Sequence, residues 1–355
     1  MNDATAVRAL LGFVQTGELP RPGGAAQAAC LVEVARAQGL AALLDDALVR
    51  SAATWPAEAS RVLRQAHRAA AFRGEQLCDL LRRARALLAT GGIRTLPLKG
   101  MALLGFAYDS PAERPMDDVD LLVLEGWEDA LARLRAAGFG VLERADHAWV
   151  LRDPVSGANL ELHLGLATCP EMFPIDARGL WSRRAGPPGE ERPSAEDLLV
   201  QLSVHAAFQH GLRLRLIQFL DFRRVLERAA IDVVRLVEIA RAARAEASLL
   251  AALEAASALV AAPVGETLLA ELRRVAPRRL LRRVNALRQD PSRLLEDGPS
   301  PRTLAAWRLA VVGSRRLELV ARTLLPSRPD RREGARRRLR RGIELGRLLL
   351  RPRAR

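Results

Sequence analysis

The sequence predicts an α+β protein in which a mixed sheet lies between two helical segments. Apolar residues recur at helical spacing in residues 1–92 and again from residue 195 to about 325, whereas segments between them alternate with the period of a strand. A stretch rich in proline, glycine and charge at residues 184–193 marks a boundary. The predicted units are an N-terminal helical segment at 1–92, a sheet-containing core at 93–183, a C-terminal helical domain at 194–325 and an arginine-rich tail at 326–355.

The N-terminal segment is predicted to be a series of helices. Residues 7–14 and 25–37 have apolar side chains at helical spacing, and a longer pattern runs from about Ala57 to Thr90. The glycine pair at 91–92 follows that pattern and supplies a plausible C-cap. His67 lies alone within the long helix, so we interpret it as a surface or packing residue.

The core begins with a short strand at residues 93–98. Pro97 argues against a fully paired central position and places this residue at the strand's end. A helix from about Met101 to Tyr108 is predicted next, followed by a loop that carries Arg114. The next strand contains Asp118 and Asp120.

The second half of the core is predicted to contain a helix, a hairpin and a strictly alternating strand. The helix spans residues 128–137, and strands follow at 139–143 and 147–152. A turn at residues 154–157 indicates a hairpin to the segment Asn159–Leu164. In that segment Glu161 and His163 share one face with Asn159, and three leucines share the other.

The C-terminal helical domain begins where Ser194 is followed by acidic residues, a pattern typical of a helix N-cap. Its first two helices contain His205, His210 and Asp221. Such residues most often pack or cap helices, so we assign them no role beyond that of possible neighbours of a substrate pocket.

Asp118 and Asp120 are the first candidate site. Because strand side chains alternate, both carboxylates project from the same face. Carboxylates held side by side repel each other unless a cation lies between them, and oxygen ligands of this kind suit Mg²⁺. The glycine turn at Gly100 is predicted to present backbone N–H groups at a helix start, where phosphate binds well. The competing interpretation of the aspartates is a solvent-exposed acidic strand.

Lys99-Gly100 followed by Arg114-x-x-x-Asp118-x-Asp120-Leu-Leu-Val resembles the nucleotidyltransferases of the DNA polymerase β superfamily. More narrowly, it resembles a bacterial group of uncharacterised nucleotidyltransferases. The resemblance implies a polymerase-β-like core with a third carboxylate on a later strand, and Glu161 occupies that position. The superfamily usually has Gly-Ser or Gly-Gly at the turn, whereas Met101 follows the glycine here.

The resemblance also implies a reaction, in which NMP passes from an NTP to a hydroxyl acceptor and pyrophosphate is released. Two Mg²⁺ ions about 3.5–4 Å apart can stabilise charge on both the attacking and the leaving oxygen. Asp118 and Asp120 are expected to bridge both ions. Glu161 is expected to complete the coordination of the ion nearest the acceptor and to help the acceptor hydroxyl lose a proton. A polar outward face of an edge strand is the alternative for Glu161.

Phosphate recognition is assigned to residues around the turn. Gly100 is expected to hold the β- and γ-phosphates, and Lys99 and Arg114 to neutralise phosphate charge. Lys99 is the only lysine among 55 basic residues. This count favours the interpretation that the position requires a compact ammonium group over the alternative that a single lysine is retained here by chance. His163 would orient Glu161 or contact phosphate, with a structural hydrogen bond as an equal alternative.

The formal net charge of +14 is unevenly distributed. Residues 321–355 contain 13 arginines and three acidic residues, which gives 13 − 3, or about +10. The tail is therefore a possible contact for RNA or an acidic membrane, or simply a solvated arginine run. A non-catalytic RNA- or membrane-associated module that retains the fold is the alternative function. For an enzyme, the acceptor classes are a small molecule, a peptide or protein side chain, and an RNA end.

Composition limits the classes of protein and of site that are compatible with this sequence. Hydrophobic residues make up 49% and charged residues 27%, a mixture that can bury a core, while 4% aromatics disfavours an extended base-stacking platform. The three cysteines are scattered without CxxC spacing, which predicts neither a zinc site nor a disulfide framework. The start of the sequence does not resemble a signal peptide, and no apolar run is long enough to span a bilayer. These features predict a cytoplasmic protein.

Overall fold

The computed structural model of the chain describes residues 3–295, 301–324 and 343. Apart from Ile343, the tail predicted at 326–355 lies outside these residues. The α-helices are α1 (Asp3–Thr16), α2 (Ala25–Ala37), α3 (Ala41–Ser51), α4 (Ala57–Ala89), α5 (Trp127–Ala136), α6 (Ala177–Ser182), α7 (Ala195–Ser203), α8 (Leu216–Arg228), α9 (Val233–Ala242), α10 (Glu246–Val260), α11 (Glu266–Val275), α12 (Arg278–Gln289), α13 (Pro301–Val311) and α14 (Arg316–Leu324). Short 3₁₀ helices span Lys99–Leu103, Pro170–Met172, Pro291–Leu294 and Gly313–Arg315, and a π-helix spans Val204–Gln209.

The sheet is mixed. Its strands are β1 (Thr95–Pro97), β2 (Asp118–Val123), β3 (Gly140–Arg144), β4 (Ala148–Arg152) and β5 (Asn159–His163). They lie in the order β1-β2-β5-β4-β3, with β2 parallel to β5 and the other neighbours antiparallel. The predicted α+β class and the helical segments that flank the sheet are therefore confirmed.

One face of the sheet packs against helices. Alternate residues of β2 and β5, among them Leu121 and Leu160, contact the apolar side of α4 and of α5. The C-terminal half of α4 contributes leucines such as Leu80 and Leu88, which have no exposed surface. Burial of this face leaves the carboxylates of β2 and β5 on the opposite face.

A larger hydrophobic core joins the N-terminal helices to the C-terminal ones. It includes residues of α1, α2 and α3 together with residues of α7, α8 and α10. Gln15 in α1 donates hydrogen bonds to the carbonyl oxygens of Ala258 and Leu259, at 3.2 and 3.0 Å. The domain limits predicted from the sequence stay a prediction.

Several local predictions agree with the structure. The long helix ends at Ala89 beside the predicted glycine pair, and the Ser194 side chain accepts a hydrogen bond from the Asp197 N–H at the start of α7. Pro97 ends β1, which is an edge strand. In the described part of the chain, none of the helices has both the length and the apolarity needed to cross a bilayer.

The helix predicted from Met101 to Tyr108 was wrong. Only the five-residue 3₁₀ helix Lys99–Leu103 forms there. The chain then turns back at Gly105, whose φ of 70° is readily adopted only by glycine, and Leu103 O accepts the N–H groups of Ala107 and Tyr108. The turn buries the side chain of Tyr108 completely.

Candidate active site

The register of β2 against β5 positions the predicted carboxylates. Asp120 pairs with Glu161 across the two parallel strands, and Asp118 lies two residues earlier on the same face of β2. All three line one cavity of about 470 Å³, which the helical domain closes from the other side. Asp117, the adjacent residue, has a side chain that is 88% exposed.

Asp120 accepts two hydrogen bonds at the point where β2 and β5 pair. Its Oδ1 accepts hydrogen bonds from Lys99 Nζ at 2.5 Å and from His163 Nε2 at 2.8 Å. Glu161 Oε2 lies 3.3 Å from His163 Nε2 and 3.8 Å from Lys99 Nζ. The Lys99 ammonium, the His163 imidazole and two carboxylates therefore meet at the point where β2 and β5 pair.

These contacts set the charge of each group. Burial opposes ionisation of Asp120, but Lys99 and His163 hold its pKa well below the usual range. Burial also opposes the charge on Lys99, whose pKa is nevertheless raised by Asp120 and Glu161. For His163, burial is outweighed by hydrogen bonds to Asp120 and Glu161, which raise its pKa.

Asp118 differs from its neighbour because, within the described residues, its carboxylate forms no ion pair with a basic side chain. Burial, with the negative charges of Asp120 and Glu161, raises the pKa of Asp118 to about 7. At neutral pH this carboxyl is thus partly protonated. A divalent cation placed among the three carboxylates would remove the repulsion that raises this pKa.

The donor set fits a hard divalent cation. Asp120, Glu161 and His163 offer ligand atoms that all lie within 4.8 Å of one another, and Asp118 adds a fourth group from the same face. Oxygen donors of this kind suit Mg²⁺. His163 was predicted to orient Glu161 or to contact phosphate, and its observed partners are Asp120 and Glu161.

A comparison with protein families shows which family contains this chain. A family model described as uncharacterised nucleotidyltransferase matches residues 24–261, which are 238 of the 355 residues. The chain belongs to this family. The match supports a transferase at a coarse level, and it includes each residue of the carboxylate cluster. Searches among curated proteins and among solved structures returned no match.

Gly100 is closely packed against the side chain of Met116. It lies in the 3₁₀ helix, and a Cβ atom built on it would approach Met116 Sδ to 2.6 Å. A side chain at this position would therefore require the Met116 side chain to shift. The predicted contact of Gly100 with the β- and γ-phosphates stays a prediction.

Arg114 is buried and already paired. Its Nε and Nη2 donate to the two carboxylate oxygens of Asp221 at 2.7 and 2.8 Å, and Tyr108 donates its hydroxyl to the same carboxylate at 2.8 Å. Burial and the charge of Asp221 raise the pKa of Tyr108. The predicted neutralisation of phosphate by Arg114 stays a prediction, because the visible contact is with α8.

Sequence reasoning missed Tyr108 and gave Asp221 no defined role. Tyr108 is the only tyrosine in the chain. Nothing in its local pattern distinguishes it, because its partner lies 113 residues away. Arg215, at the rim of the cavity with Nη2 3.8 Å from Asp117 Oδ2, was also missed.

The helical wall opposite the carboxylates carries two histidines, His205 and His210, whose ring centroids lie 4.5 Å apart. His147 and His163 line the same cavity from the side of the sheet. Burial and the positive charge of Lys99 lower the pKa of His205 and of His210, that of His210 to about 4. The π-helix explains the pairing, because residues five apart are neighbours in an i→i+5 helix but not in an α-helix.

Proposed function

We propose that this chain is a Mg²⁺-dependent nucleotidyltransferase that transfers NMP from an NTP to a hydroxyl-bearing acceptor and releases pyrophosphate. The observation that carries the proposal is the pairing of Asp120 with Glu161 across β2 and β5, with Asp118 on the same face of a single cavity. A solvated acidic strand would not bury Asp120 to 4% exposure between the donor groups of Lys99 and His163.

Asp118, Asp120 and Glu161 are the residues that would hold two Mg²⁺ ions. When bound, the ions would stabilise negative charge on the attacking and leaving oxygens. Before that, Lys99 and His163 keep Asp120 ionised, so that it is ready to act as a ligand. Lys99 would then be released towards the phosphates, whose charge it would neutralise.

In the proposed step, the acceptor oxygen attacks the α-phosphorus of the NTP and forms a new P–O bond. The bond from the α-phosphorus to the bridging oxygen of pyrophosphate breaks, and pyrophosphate leaves with the electron pair. The proton of the acceptor hydroxyl passes to Glu161, whose side chain is 26% exposed and so accessible to a bound acceptor.

The hydroxyl group of the acceptor must enter a cavity of about 470 Å³. A small molecule, a peptide or protein side chain and an RNA end each satisfy this condition. The neutral imidazoles of His205 and His210 would face the acceptor, since they line the wall opposite the carboxylates. We place the enzyme in the cytoplasm, where Mg²⁺ and NTPs are both supplied.

The test is NTP binding by calorimetry, with and without Mg²⁺. We expect Mg²⁺-dependent binding in the wild type that is lost in Asp118→Asn/Asp120→Asn. Asp117→Asn is the matched control, because it removes the same charge one residue away from a side chain that is almost fully exposed. If binding fails for all four NTPs in folded wild type, or survives in the double variant, the proposal is wrong.

A further inference from the structure

The helices α12 and α13 form a groove with one charged side and one apolar side. It has a volume of about 380 Å³. The side formed by α12 carries three arginines at positions i, i+3 and i+4, which are Arg279, Arg282 and Arg283. The side formed by α13 carries small or aliphatic side chains, which are Ala306, Leu309 and Ala310.

The groove runs along both helices, because they are antiparallel. The start of α12 meets the end of α13, where a Cβ atom built on Gly313 would lie 2.9 Å from Pro277 Cγ. Near the middle of both helices, Arg283 Cζ lies 5.5 Å from the ring centroid of Trp307. Helices of 12 and 11 residues are about 17 Å long. An extended chain of several units can therefore lie along the groove.

The arginines of α12 are placed where they repel one another. Five of its twelve residues are arginine and none is acidic, and four of the arginines lie in its first six residues. The N-terminus of a helix carries the positive end of its dipole, and like charges three or four residues apart are destabilising. Such a departure from local stability is typical of a functional surface. A bound anion would relieve the repulsion.

The arginines of the groove lack acidic partners. Arg288, which lies outside the groove, pairs with Glu254 Oε2 at 3.0 Å. Within residues 3–295 and 301–324, no carboxylate forms an ion pair with Arg279, Arg282 or Arg283. Burial lowers the pKa of Arg283, and an anion in the groove would stabilise its charged form.

These features favour a single strand of nucleic acid as the anion. Guanidinium groups bind phosphate through paired N–H donors, while the apolar side of the groove suits sugars and bases. An acidic membrane fits less well, because the apolar residues Leu280, Val284 and Leu287 of α12 are buried in the core and cannot insert into lipid. The arginine-rich tail carries the same sign of charge and would be repelled.

We propose that the groove between α12 and α13 binds a single strand of nucleic acid, whose phosphates pair with Arg279, Arg282 and Arg283 and whose sugars and bases lie against α13. Because the polar contacts are to phosphates, we expect little preference for base sequence. No residue that lines this groove lines the candidate active site. Binding therefore requires neither NTP nor Mg²⁺.

The test is fluorescence anisotropy of the full chain with labelled strands of about 12 nucleotides, oligo-U RNA and oligo-dT DNA. We expect Arg279→Gln/Arg282→Gln to weaken binding of the tighter strand about tenfold. It should also reduce the magnitude of the slope of log K against log[KCl] by about 1.4, since each phosphate contact of a single strand contributes about 0.7. The tighter of the two strands identifies the ligand as RNA or DNA.

Arg64→Gln/Arg68→Gln is the matched control. It removes the same charge from two exposed residues of α4 and leaves the groove intact. It should weaken binding less than about twofold and leave the salt slope unchanged, because only distant, screened charge is lost. The groove variant should be at least as stable as the wild type in thermal melts, since it removes like charges from the start of α12.

Trp307 provides a local signal for occupancy of the groove, because it lies beneath Arg283. The chain has five tryptophans, and Trp307→Phe assigns the indole N–H resonance of this one. Nucleic acid should shift the Trp307 resonance in the wild type and in Arg64→Gln/Arg68→Gln, but not in Arg279→Gln/Arg282→Gln. The resonance of Trp127, which packs against the core beneath the sheet, should not shift.

Four results would overturn the proposal. Equal losses in the two double variants would show that net charge alone matters, and unchanged binding in the groove variant would assign the strand to other basic residues. Poly-L-glutamate that displaces the strand as well as unlabelled strand of equal charge would identify an acidic peptide instead. Phosphatidylserine vesicles that lose binding in the groove variant, while nucleic acid remains bound, would identify a membrane. All assays omit NTP and Mg²⁺, so their outcome is independent of the proposed nucleotidyltransferase activity.

Discussion

Asp118 and Asp120 lie two residues apart on one face of β2, yet their surroundings move their pKa values in opposite directions. Lys99 and His163 lower the pKa of Asp120, whereas burial and the charges of Asp120 and Glu161 raise the pKa of Asp118. The Asp118 carboxyl therefore holds a proton that a bound cation would displace. Asp118 is therefore the residue at which cation binding can be observed directly.

Mg²⁺ binding at pH 7 should release about half a proton, because a carboxyl with a pKa of about 7 is half protonated there and fully ionised once a cation is bound. Raising the pH through 7 should strengthen Mg²⁺ binding until Asp118 is fully ionised, after which the effect levels off. Calorimetry in two buffers of different ionisation enthalpy measures the released proton. Asp118→Asn should remove the release, and Asp117→Asn should retain it.

Lys99 competes with a metal ion for Asp120. Its ammonium lies 2.5 Å from Asp120 Oδ1 and 3.8 Å from Glu161 Oε2, so a cation must displace it. Lys99→Met should therefore tighten binding of Mg²⁺ alone by about tenfold, while it weakens binding of Mg·NTP. Titration of the folded variant with Mg²⁺, then with Mg·NTP, separates the two effects. Unchanged or weaker binding of Mg²⁺ alone would contradict this role.

At the scale of elements, α8 holds the segment that leads into β2. Asp221 in α8 accepts hydrogen bonds from Tyr108 and Arg114, which flank the loop before the catalytic strand. Arg114 also donates to Pro115 O at 2.9 Å. The helical domain therefore positions Asp118 and Asp120 through one buried carboxylate.

Asp221→Asn should lower the free energy of unfolding by about 3–5 kcal/mol, because it leaves the Arg114 guanidinium buried without a counter-charge. Tyr108→Phe should lower it by about 1.5–3 kcal/mol, the range for a hydrogen bond to a charged group. Arg114→Met/Asp221→Leu should recover part of the loss, since it removes both charges. Urea unfolding measures all three, and a double variant no more stable than Asp221→Asn would contradict the role of Asp221 as the counter-charge of Arg114.

Local patterns predicted the elements better than the contacts between them. Strict alternation identified β5, and its Glu161 could be matched to Asp120 through the family resemblance. The partner of Tyr108 could not be predicted, because Asp221 is distant in sequence and either residue alone has an ordinary pattern. The His205–His210 pair was missed because an α-helix would separate residues five apart, whereas the π-helix brings them together.

At the scale of the whole molecule, the N-terminal helices belong to the same hydrophobic core as the C-terminal ones. Arg223 in α8 donates to the carbonyl oxygens of Val14 and Val260, and Leu216 donates its N–H to Gln38 Oε1 at 2.9 Å. Helices of the predicted N-terminal segment and of the predicted helical domain thus share one hydrophobic core, while the domain limits stay a prediction. We infer that α1–α3 and α7–α10 unfold together.

Gly39 tests this inference, because it lies where the two sets of helices meet. Its φ is 74°, and a Cβ atom built on it would lie 2.6 Å from Ile217 Cγ2 in α8. Gly92 is the matched control, with a φ of 68° and nothing within 4 Å of such a Cβ. Gly92→Ala should lower the free energy of unfolding by about 1–2 kcal/mol through backbone strain, and Gly39→Ala by a further 1–3 kcal/mol through overpacking.

The helices in which Gly39→Ala speeds hydrogen exchange decide whether α1–α3 and α7–α10 form one unfolding unit. If they do, Gly39→Ala should increase hydrogen exchange in α2 and in α8–α10 to an extent that corresponds to a similar free energy in each. Gly92→Ala should not reproduce that pattern, since Gly92 lies beside the separate core beneath the sheet. Faster exchange confined to α2 would show instead that the N-terminal helices are a peripheral layer. The helical wall of the candidate active site would then depend on α7, the π-helix and α8.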